Sequence, residues 1–199
     1  MIRAALGIRM HSGWGVLVAV SGAAGPPLEV IDRRRIVTTD PSIPGANQPY
    51  HHAKNLEFRE AEAYLVNCAA LCERAAFASV ENVVRELDRR DYRIAGSAIL
   101  LASGRPLPPL AKILAAHPLL HTAEGEFFRN AVSKACERLK IPVSAIRERD
   151  LDAQAKEAFG NVAGGVRQRI VTLGGSLGPP WTKDHKTAAL AAAIILARS

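Results

Sequence analysis

Residues 4–20, AALGIRMHSGWGVLVAV, contain the first clear structural signal in the chain. Two apolar runs, residues 4–10 and 14–20, flank a His-Ser-Gly segment whose small residues are typical of a turn. Because the second run is rich in valine, we predict two antiparallel strands joined as a hairpin. Residues 28–38 alternate between two faces and predict a third, outer strand with a polar face. Three consecutive short strands indicate an antiparallel meander.

Further along the chain the hydrophobic spacing changes from strand-like to helical. Residues 57–88 and 124–139 place apolar side chains at three- and four-residue steps, which predicts two long amphipathic helices. Between them, residues 92–102 form an apolar run rich in small residues, which fits a buried central strand. Pro142 ends the second helix, and residues 143–147 predict a short strand after it.

The C-terminal quarter combines helical and glycine-rich segments. Residues 151–159 predict a helix, and residues 166–173 are compatible with a strand. Residues 174–181, GGSLGPPW, predict a flexible loop, and they lack the glycine spacing before Lys-Ser or Lys-Thr that a phosphate-binding loop needs. Thr182 can cap a last helix. The body of that helix, residues 188–196, is almost wholly apolar and must pack against the sheet.

The order of these elements defines the expected fold class. Three antiparallel strands are followed by a long helix, a strand, a helix, a strand and further helices. We therefore expect residues 1–199 to form a single α/β domain with a mixed five-stranded sheet, three antiparallel strands and then two more, flanked by helices. The length of 199 residues supports one substantial core, and the content of 48% hydrophobic and 23% charged residues is typical of a globular protein.

The charge balance favours a polyanionic partner. Lys and Arg outnumber Asp and Glu by 26 to 19, which gives a formal net charge of +7. Nucleic acid is one such partner, and a solvated basic surface is the alternative that we weigh equally. The densest basic cluster is Arg33-Arg34-Arg35 in the predicted third strand. On an outer strand these charges can also discourage association between sheet edges.

Cysteine content and hydropathy favour an ordinary reducing compartment. Cys68, Cys72 and Cys136 are too few for a disulfide framework or a cysteine zinc site. The apolar N-terminal stretch loosely resembles a secretion signal, but Arg9 and His11 interrupt it. The other apolar runs are shorter than a membrane span, so we expect a cytoplasmic protein with no membrane association.

The histidines do not predict a metal site. All six are interpreted as scattered through loops. His51 and His52 are adjacent, so on regular backbone their rings point apart and make a poor metal pair. A histidine site would need His11 close to them, and nothing in the sequence predicts that.

Three stretches resemble the ribonuclease H-like superfamily and, within it, the Holliday-junction resolvase branches. They are ALGIR with GWGV at residues 5–9 and 13–16, IPVSAIRER at residues 141–149, and KDHKTAALAA at residues 183–192. The resemblance implies a ribonuclease H-like fold whose first strand is central. It also implies that the last helix packs across the sheet near the end of that strand.

In that family, carboxylates at strand ends and on the last helix hold two divalent metals, which clamp the attacking and leaving oxygens of a phosphodiester. At the position of the first carboxylate this chain has Arg9, and at the end of the fourth strand it has residues 101–103, Leu-Ala-Ser. Glu148 (or Asp150) and Asp184 are the carboxylates in matching places. Because an arginine repels cations, we expect an ion pair between Arg9 and Asp184 in place of a metal.

The leading hypothesis is therefore a catalytically degenerate domain with no cofactor that binds DNA, RNA or another partner. The candidate binding residues are Arg9, His11, Ser12, Trp181, Lys183, His185 and Lys186. One alternative is a Mg²⁺- or Mn²⁺-dependent phosphodiesterase in which Glu148, Asp150 and Asp184 serve as relocated catalytic ligands. Another is a structural protein-interaction domain. Two candidates also have structural explanations, since Asp184 suits a helix N-terminus and Trp181 suits a hydrophobic staple.

Overall fold

Five strands form one mixed sheet in the computed structural model, which describes residues 1–22, 28–102, 104 and 106–199. The strands are β1 (Ile2–Met10), β2 (Trp14–Ser21), β3 (Glu29–Val37), β4 (Tyr92–Leu101) and β5 (Val143–Arg147). Their order is β3-β2-β1-β4-β5. The β1–β2 and β2–β3 pairs are antiparallel, and the β1–β4 and β4–β5 pairs are parallel. The predicted hairpin, the meander and the mixed sheet with a central first strand are confirmed.

Helices cover both faces of this sheet. They are α1 (Pro49–Ala53), α2 (Phe58–Arg89), α3 (Leu110–Leu114), α4 (His117–Arg138), α5 (Leu151–Phe159), α6 (Ala163–Leu177) and α7 (Lys183–Arg198). The long helix predicted at residues 57–88 is confirmed as α2. Helix α4 begins seven residues before its predicted start at residue 124, because Pro118 lies in its first turn. Proline is favoured in the first turn, where its missing N–H costs no hydrogen bond.

Side-chain alternation along β1 separates two core layers. Ala5 faces a core that includes α7, while Leu6 and Ile8 face the core formed with α2 and α4. Gly7 allows α7 to approach β1 closely, since a Cβ at this position would overlap the carbonyl oxygen of Ala188. Helix α7 therefore lies directly on β1, and its first turn is held near the end of that strand.

The predicted strand at residues 166–173 is wrong, because these residues belong to α6. Ile170 and Leu173 are buried at a helical three-residue step. Helix α6 also continues through the first four residues of the predicted glycine-rich loop. Gly174 has a packing role there, because a Cβ at this position would lie 2.7 Å from Cδ1 of Trp181.

Two further observations concern the overall architecture. Within the described part of the chain, no helix is long and apolar enough to cross a membrane. Cys68, Cys72 and Cys136 are buried free thiols. Burial raises the pKa of Cys72 to about 12 and that of Cys136 to about 11, so these thiols are protonated at neutral pH.

Candidate functional site

The ends of β1 and β5 meet the first turn of α7 at one edge of the sheet. Arg9 is the penultimate residue of β1, Glu148 directly follows β5, and Asp184 is the second residue of α7. Arg9 faces α7 because it shares the strand parity of Ala5 and Gly7. The fold thus brings one cation and two anions together from residues that are far apart in sequence.

The guanidinium of Arg9 binds both carboxylates. Its Nε donates to Glu148 Oε1 at 2.6 Å, and its Nη1 lies 2.8 Å from Asp184 Oδ1. A longer contact of 3.4 Å joins Nη2 to the second oxygen of Glu148. The hydrogen bond to Glu148 raises the pKa of Arg9 above its usual value against the effect of burial, and both carboxylate charges add to this. The predicted ion pair between Arg9 and Asp184 is confirmed.

His11 completes the group that we call the Arg9 cluster: Arg9, His11, Glu148 and Asp184. Its Nε2 lies 2.8 Å from Asp184 Oδ2 and 3.0 Å from Arg9 Nη1. An ionised carboxylate only accepts hydrogen bonds, so the shorter contact is a hydrogen bond when Nε2 of His11 carries the hydrogen and donates it to Asp184. The His11 ring stacks on Trp14 with 4.3 Å between ring centroids and an interplanar angle of 16°. This stacking fixes the imidazole against the carboxylate.

These residues do not fit a pair of divalent metals of the kind that the resemblance implies. An ion such as Mg²⁺ needs free carboxylate oxygens. Here Arg9 and His11 already hydrogen-bond to Glu148 and Asp184, so an ion would have to displace a fixed guanidinium. At the end of β4 the chain offers Leu101 and Ala102, and residue 103 lies outside the described residues.

Asp150, the third relocated carboxylate, contacts arginines of its own segment and does not join the Arg9 cluster. Its Oδ2 accepts a hydrogen bond from Arg147 Nε at 2.5 Å, and its Oδ1 lies 3.7 Å from Arg149 Nε. The structure therefore brings together two of the three candidate catalytic carboxylates, Glu148 and Asp184, around one arginine. Asp150 is occupied by other partners.

A cleft of about 440 Å³ lies beside the cluster, between α5, α6 and the start of α7. Four of its lining residues are cationic and two are anionic: Arg149, Arg167, Lys183 and Lys186 against Glu148 and Asp152. Lysines in the first turn of a helix oppose its dipole, so their position in α7 has no local structural benefit. The sequence interpretation missed Arg167 because α6 was predicted as a strand.

His185 caps α7 and does not line the cationic rim. It is buried, with 8% of its surface exposed, and its Nδ1 lies 2.8 Å from Thr182 Oγ1. The Thr182 backbone N–H donates to the same nitrogen at 3.3 Å. Burial lowers the pKa of His185, the charge of Arg33 lowers it further, and Asp184 opposes both. The predicted Thr182 cap is confirmed.

Two other predicted binding residues differ in exposure. Trp181 packs against the core, and its indole N–H donates to the carbonyl of Ile170 at 2.8 Å. It therefore packs onto the core, as the structural explanation predicts, although the staple position one turn into α7 is occupied by the polar Lys186. Ser12 is exposed in the turn between β1 and β2.

The arginine run in β3 is engaged within the protein. Arg33 donates to three backbone carbonyls at the end of α6 and in the segment that follows it, at 2.5 to 2.9 Å. Arg34 pairs with Glu86 of α2 at 2.6 Å. The guanidinium of Arg35 lies 4.3 Å from the centroid of the Trp14 ring. The densest basic cluster of the sequence thus fixes neighbouring segments.

Comparison with known proteins supports the fold. The sequence matches no protein-family model, and no curated protein sequence is significantly similar to it. The structure resembles RuvC of Thermus thermophilus in complex with a Holliday junction substrate, with a TM-score of 0.52 and 16% identity over 98% of this chain and 95% of that chain. A second RuvC structure from the same organism gives a TM-score of 0.51 with the same identity and coverage. The chain has a ribonuclease H-like fold.

Proposed function

We propose that this chain is a ribonuclease H-like domain that binds nucleic acid and lacks two-metal catalysis. The observation that carries the proposal is the Arg9 guanidinium between Glu148 and Asp184. The resemblance implies two metals at this edge of the sheet. In this chain a side-chain cation performs their electrostatic role of holding the carboxylates together. We also propose that residues 1–199 act as one domain in the cytoplasm.

The cleft beside the Arg9 cluster is the proposed nucleic-acid surface. Lys183, Lys186 and Arg149 supply cations along its rim, beside the first turn of α7. The similar RuvC structure contains a Holliday junction substrate, so branched DNA is the first probe to test. Phosphate contacts of this kind make affinity depend strongly on salt, because bound counterions are released from the nucleic acid.

Fluorescence anisotropy with four-way, nicked and single-stranded DNA and with duplex RNA tests the proposal. We expect binding at low salt that weakens steeply between about 50 and 200 mM salt. The double variant Lys183→Gln/Lys186→Gln should lower the affinity and reduce the salt slope by about 2. The matched control is Lys54→Gln/Lys112→Gln, which removes the same charge from exposed positions on α3 and just after α1. Failure to bind any probe at low salt, or equal losses in both variants, contradicts the proposal.

The competing function is a metal-dependent phosphodiesterase, which the convergence of Glu148 and Asp184 on one point favours. It predicts Mg²⁺- or Mn²⁺-dependent cleavage of branched or nicked DNA that Asp184→Asn abolishes. That result would replace the binding proposal. Binding without cleavage in either metal supports the degenerate domain, and neither binding nor cleavage favours the protein-interaction alternative.

A further inference from the structure

Three histidines meet in the helical layer that contains α2 and α4, on the sheet face opposite to α7. His51 lies on α1, while His117 and His121 lie four residues apart at the start of α4. One ligand nitrogen from each lies within 4.8 Å of the other two. The sequence interpretation expected a histidine site to need His11; the structure places His11 in the Arg9 cluster and brings His51 to two imidazoles of α4 instead.

We propose that His51, His117 and His121 form a binding site for a transition metal of the Zn²⁺ class. Neutral imidazole is a preferred ligand for Zn²⁺ and for neighbouring ions such as Ni²⁺ and Co²⁺. The Nε2 atoms of His117 and His121 are 3.2 Å apart. A tetrahedral ion with Zn–N bonds of about 2.05 Å requires a ligand separation of about 3.3 Å, so this pair needs almost no movement.

Glu124 orients the third ligand. Its Oε1 lies 2.8 Å from His51 Nδ1 and accepts the backbone N–H of His51 at 3.2 Å. Only 2% of the Glu124 surface is exposed, so this carboxylate needs a partner inside the protein. A hydrogen bond from Nδ1 to a carboxylate fixes the imidazole tautomer that presents Nε2 to an ion. We call these four residues the His51 cluster: His51, His117, His121 and Glu124.

The arrangement leaves a coordination position for solvent. Both ligands on α4 are exposed and His51 is partly buried, so an ion can enter from the surface. Three histidines complete three of four tetrahedral positions, and a water or another small ligand takes the fourth. A bound ion would join α1 to α4 and thereby hold the segment between β3 and α2 against the helical layer.

The neighbouring histidine provides a matched control. His52 is adjacent to His51 in the chain, but its ring packs on Tyr64 with 4.6 Å between centroids. It therefore has the same chemistry and sequence environment without taking part in the cluster. The variant His52→Gln should leave metal binding unchanged.

Calorimetric titration of chelator-treated protein with Zn²⁺, Ni²⁺ and Co²⁺, together with thermal melts, tests the site. We expect one equivalent to bind and the Tm to rise by about 5 to 10 °C at a free metal concentration 100-fold above Kd. Glu124→Gln should weaken binding about 10- to 100-fold, and His117→Gln and His121→Gln should weaken it more. Since His117 and His121 are both exposed, His117→Gln and His121→Gln should retain the metal-free Tm of the parent.

Three results would overturn the proposal. The first is the absence of binding of all three ions to the parent protein. The second is binding of parent affinity by His117→Gln/His121→Gln, and the third is a loss of binding in His52→Gln as large as in the cluster variants. Visible absorption of the Co²⁺ complex adds a second readout, because a tetrahedral imidazole site gives a spectrum that unspecific surface binding does not.

Discussion

The Arg9 cluster and the His51 cluster lie on opposite faces of one sheet and balance their charges in opposite ways. In the Arg9 cluster two carboxylates share one fixed guanidinium, so the negative charges already have a cation. In the His51 cluster three imidazoles face one another, and a buried carboxylate lies behind one of them. The Arg9 cluster lies where the resemblance to the ribonuclease H-like superfamily implies metal ions, and the His51 cluster lies where that resemblance implies none.

The two clusters show that a site can contain suitable metal-ligand atoms that are not free to bind a metal ion. Glu148 and Asp184 have oxygen atoms suited to Mg²⁺, yet both accept charged hydrogen bonds from Arg9. The imidazoles of His117 and His121 contact each other at 3.2 Å, and one donates to the other when no ion is bound. A metal therefore competes with an internal ion pair in one cluster and with a single weak hydrogen bond in the other.

Removing the internal cation should have the largest effect. We expect Arg9→Ala to lower the free energy of unfolding by about 3 kcal/mol, because two partly buried carboxylates lose their shared partner. The corresponding fall in Tm is about 6 to 12 °C for a chain of this size. Denaturant unfolding measures the change directly.

The control for this variant is Arg3→Ala, at the other end of the same strand. Arg3 is exposed, and its side chain donates a hydrogen bond to Ser199. Its removal should change stability by less than about 0.5 kcal/mol. Similar losses of stability in the two variants would mean that the Arg9 cluster contributes no more to the free energy of unfolding than an exposed surface charge does.

Replacing Arg9 by a carboxylate should convert the Arg9 cluster into a site that binds a divalent metal ion. Mg²⁺ should leave the Tm of the parent protein unchanged. Arg9→Asp brings a third carboxylate next to Glu148 and Asp184, so Mg²⁺ or Mn²⁺ should stabilise this variant by about 2.7 kcal/mol at 100-fold Kd. Thermal melts at constant ionic strength in NaCl separate binding from screening. A rise of several degrees in the parent would count against the contrast between the clusters.

Removing one anion should have a smaller effect than removing the cation. In Asp184→Asn the amide oxygen still accepts from His11, and Arg9 keeps Glu148. We expect a loss of about 1.5 kcal/mol, from one charged hydrogen bond and from the favourable charge at the helix N-terminus. Asp152→Asn is the control, since Asp152 has 82% of its side chain exposed and its pair with Arg167 is a surface one. If Asp184→Asn lowered the free energy of unfolding as much as Arg9→Ala, the ion pair between Glu148 and Arg9 would contribute no stability of its own.

The sequence predicted those parts of the fold in which local pattern and tertiary packing agree. The hairpin at residues 4–20 has two apolar runs around a turn of small residues, and residues 57–88 have a strong helical period; both predictions are confirmed. Residues 166–173 form a short segment of mixed polarity, in which Val166, Ile170 and Leu173 follow a helical spacing. Here the glycines made a helix less favourable locally, and packing of Ile170 and Leu173 against the core overrode that preference.

The two clusters differ in how far the sequence predicted them. The resemblance aligned Arg9 and Asp184 with facing positions of a known fold, so the sequence was sufficient to predict their contact. The His51 cluster had only a local signal, the four-residue spacing of His117 and His121. The helix predicted to begin at residue 124 left both histidines outside it, whereas α4 begins at His117 with Pro118 in its first turn. The approach of α1 to α4 depends on tertiary packing, which sequence spacing does not encode.

The smallest effect concerns His185, which lies beside the Arg9 cluster but belongs to neither cluster. Burial lowers its pKa, and its Nδ1 accepts the Thr182 backbone N–H only while the ring is neutral. In the unfolded chain a histidine titrates near pH 6.5, at about its ordinary pKa. Between that value and the lower folded pKa, the unfolded state binds more protons than the folded state. The stability due to neutral His185 is therefore complete above about pH 6.5 and is lost as the pH falls towards the folded pKa.

Substituting His185 by a residue that does not titrate should remove this part of the pH dependence. We expect the Tm of the parent to fall from about pH 7 to about pH 5, and the Tm of His185→Gln to fall less over the same range. Melts at about pH 8, where the histidine is neutral in both states, measure the loss of the helix cap alone and serve as the reference. Equal slopes in the two proteins would contradict the lowered pKa.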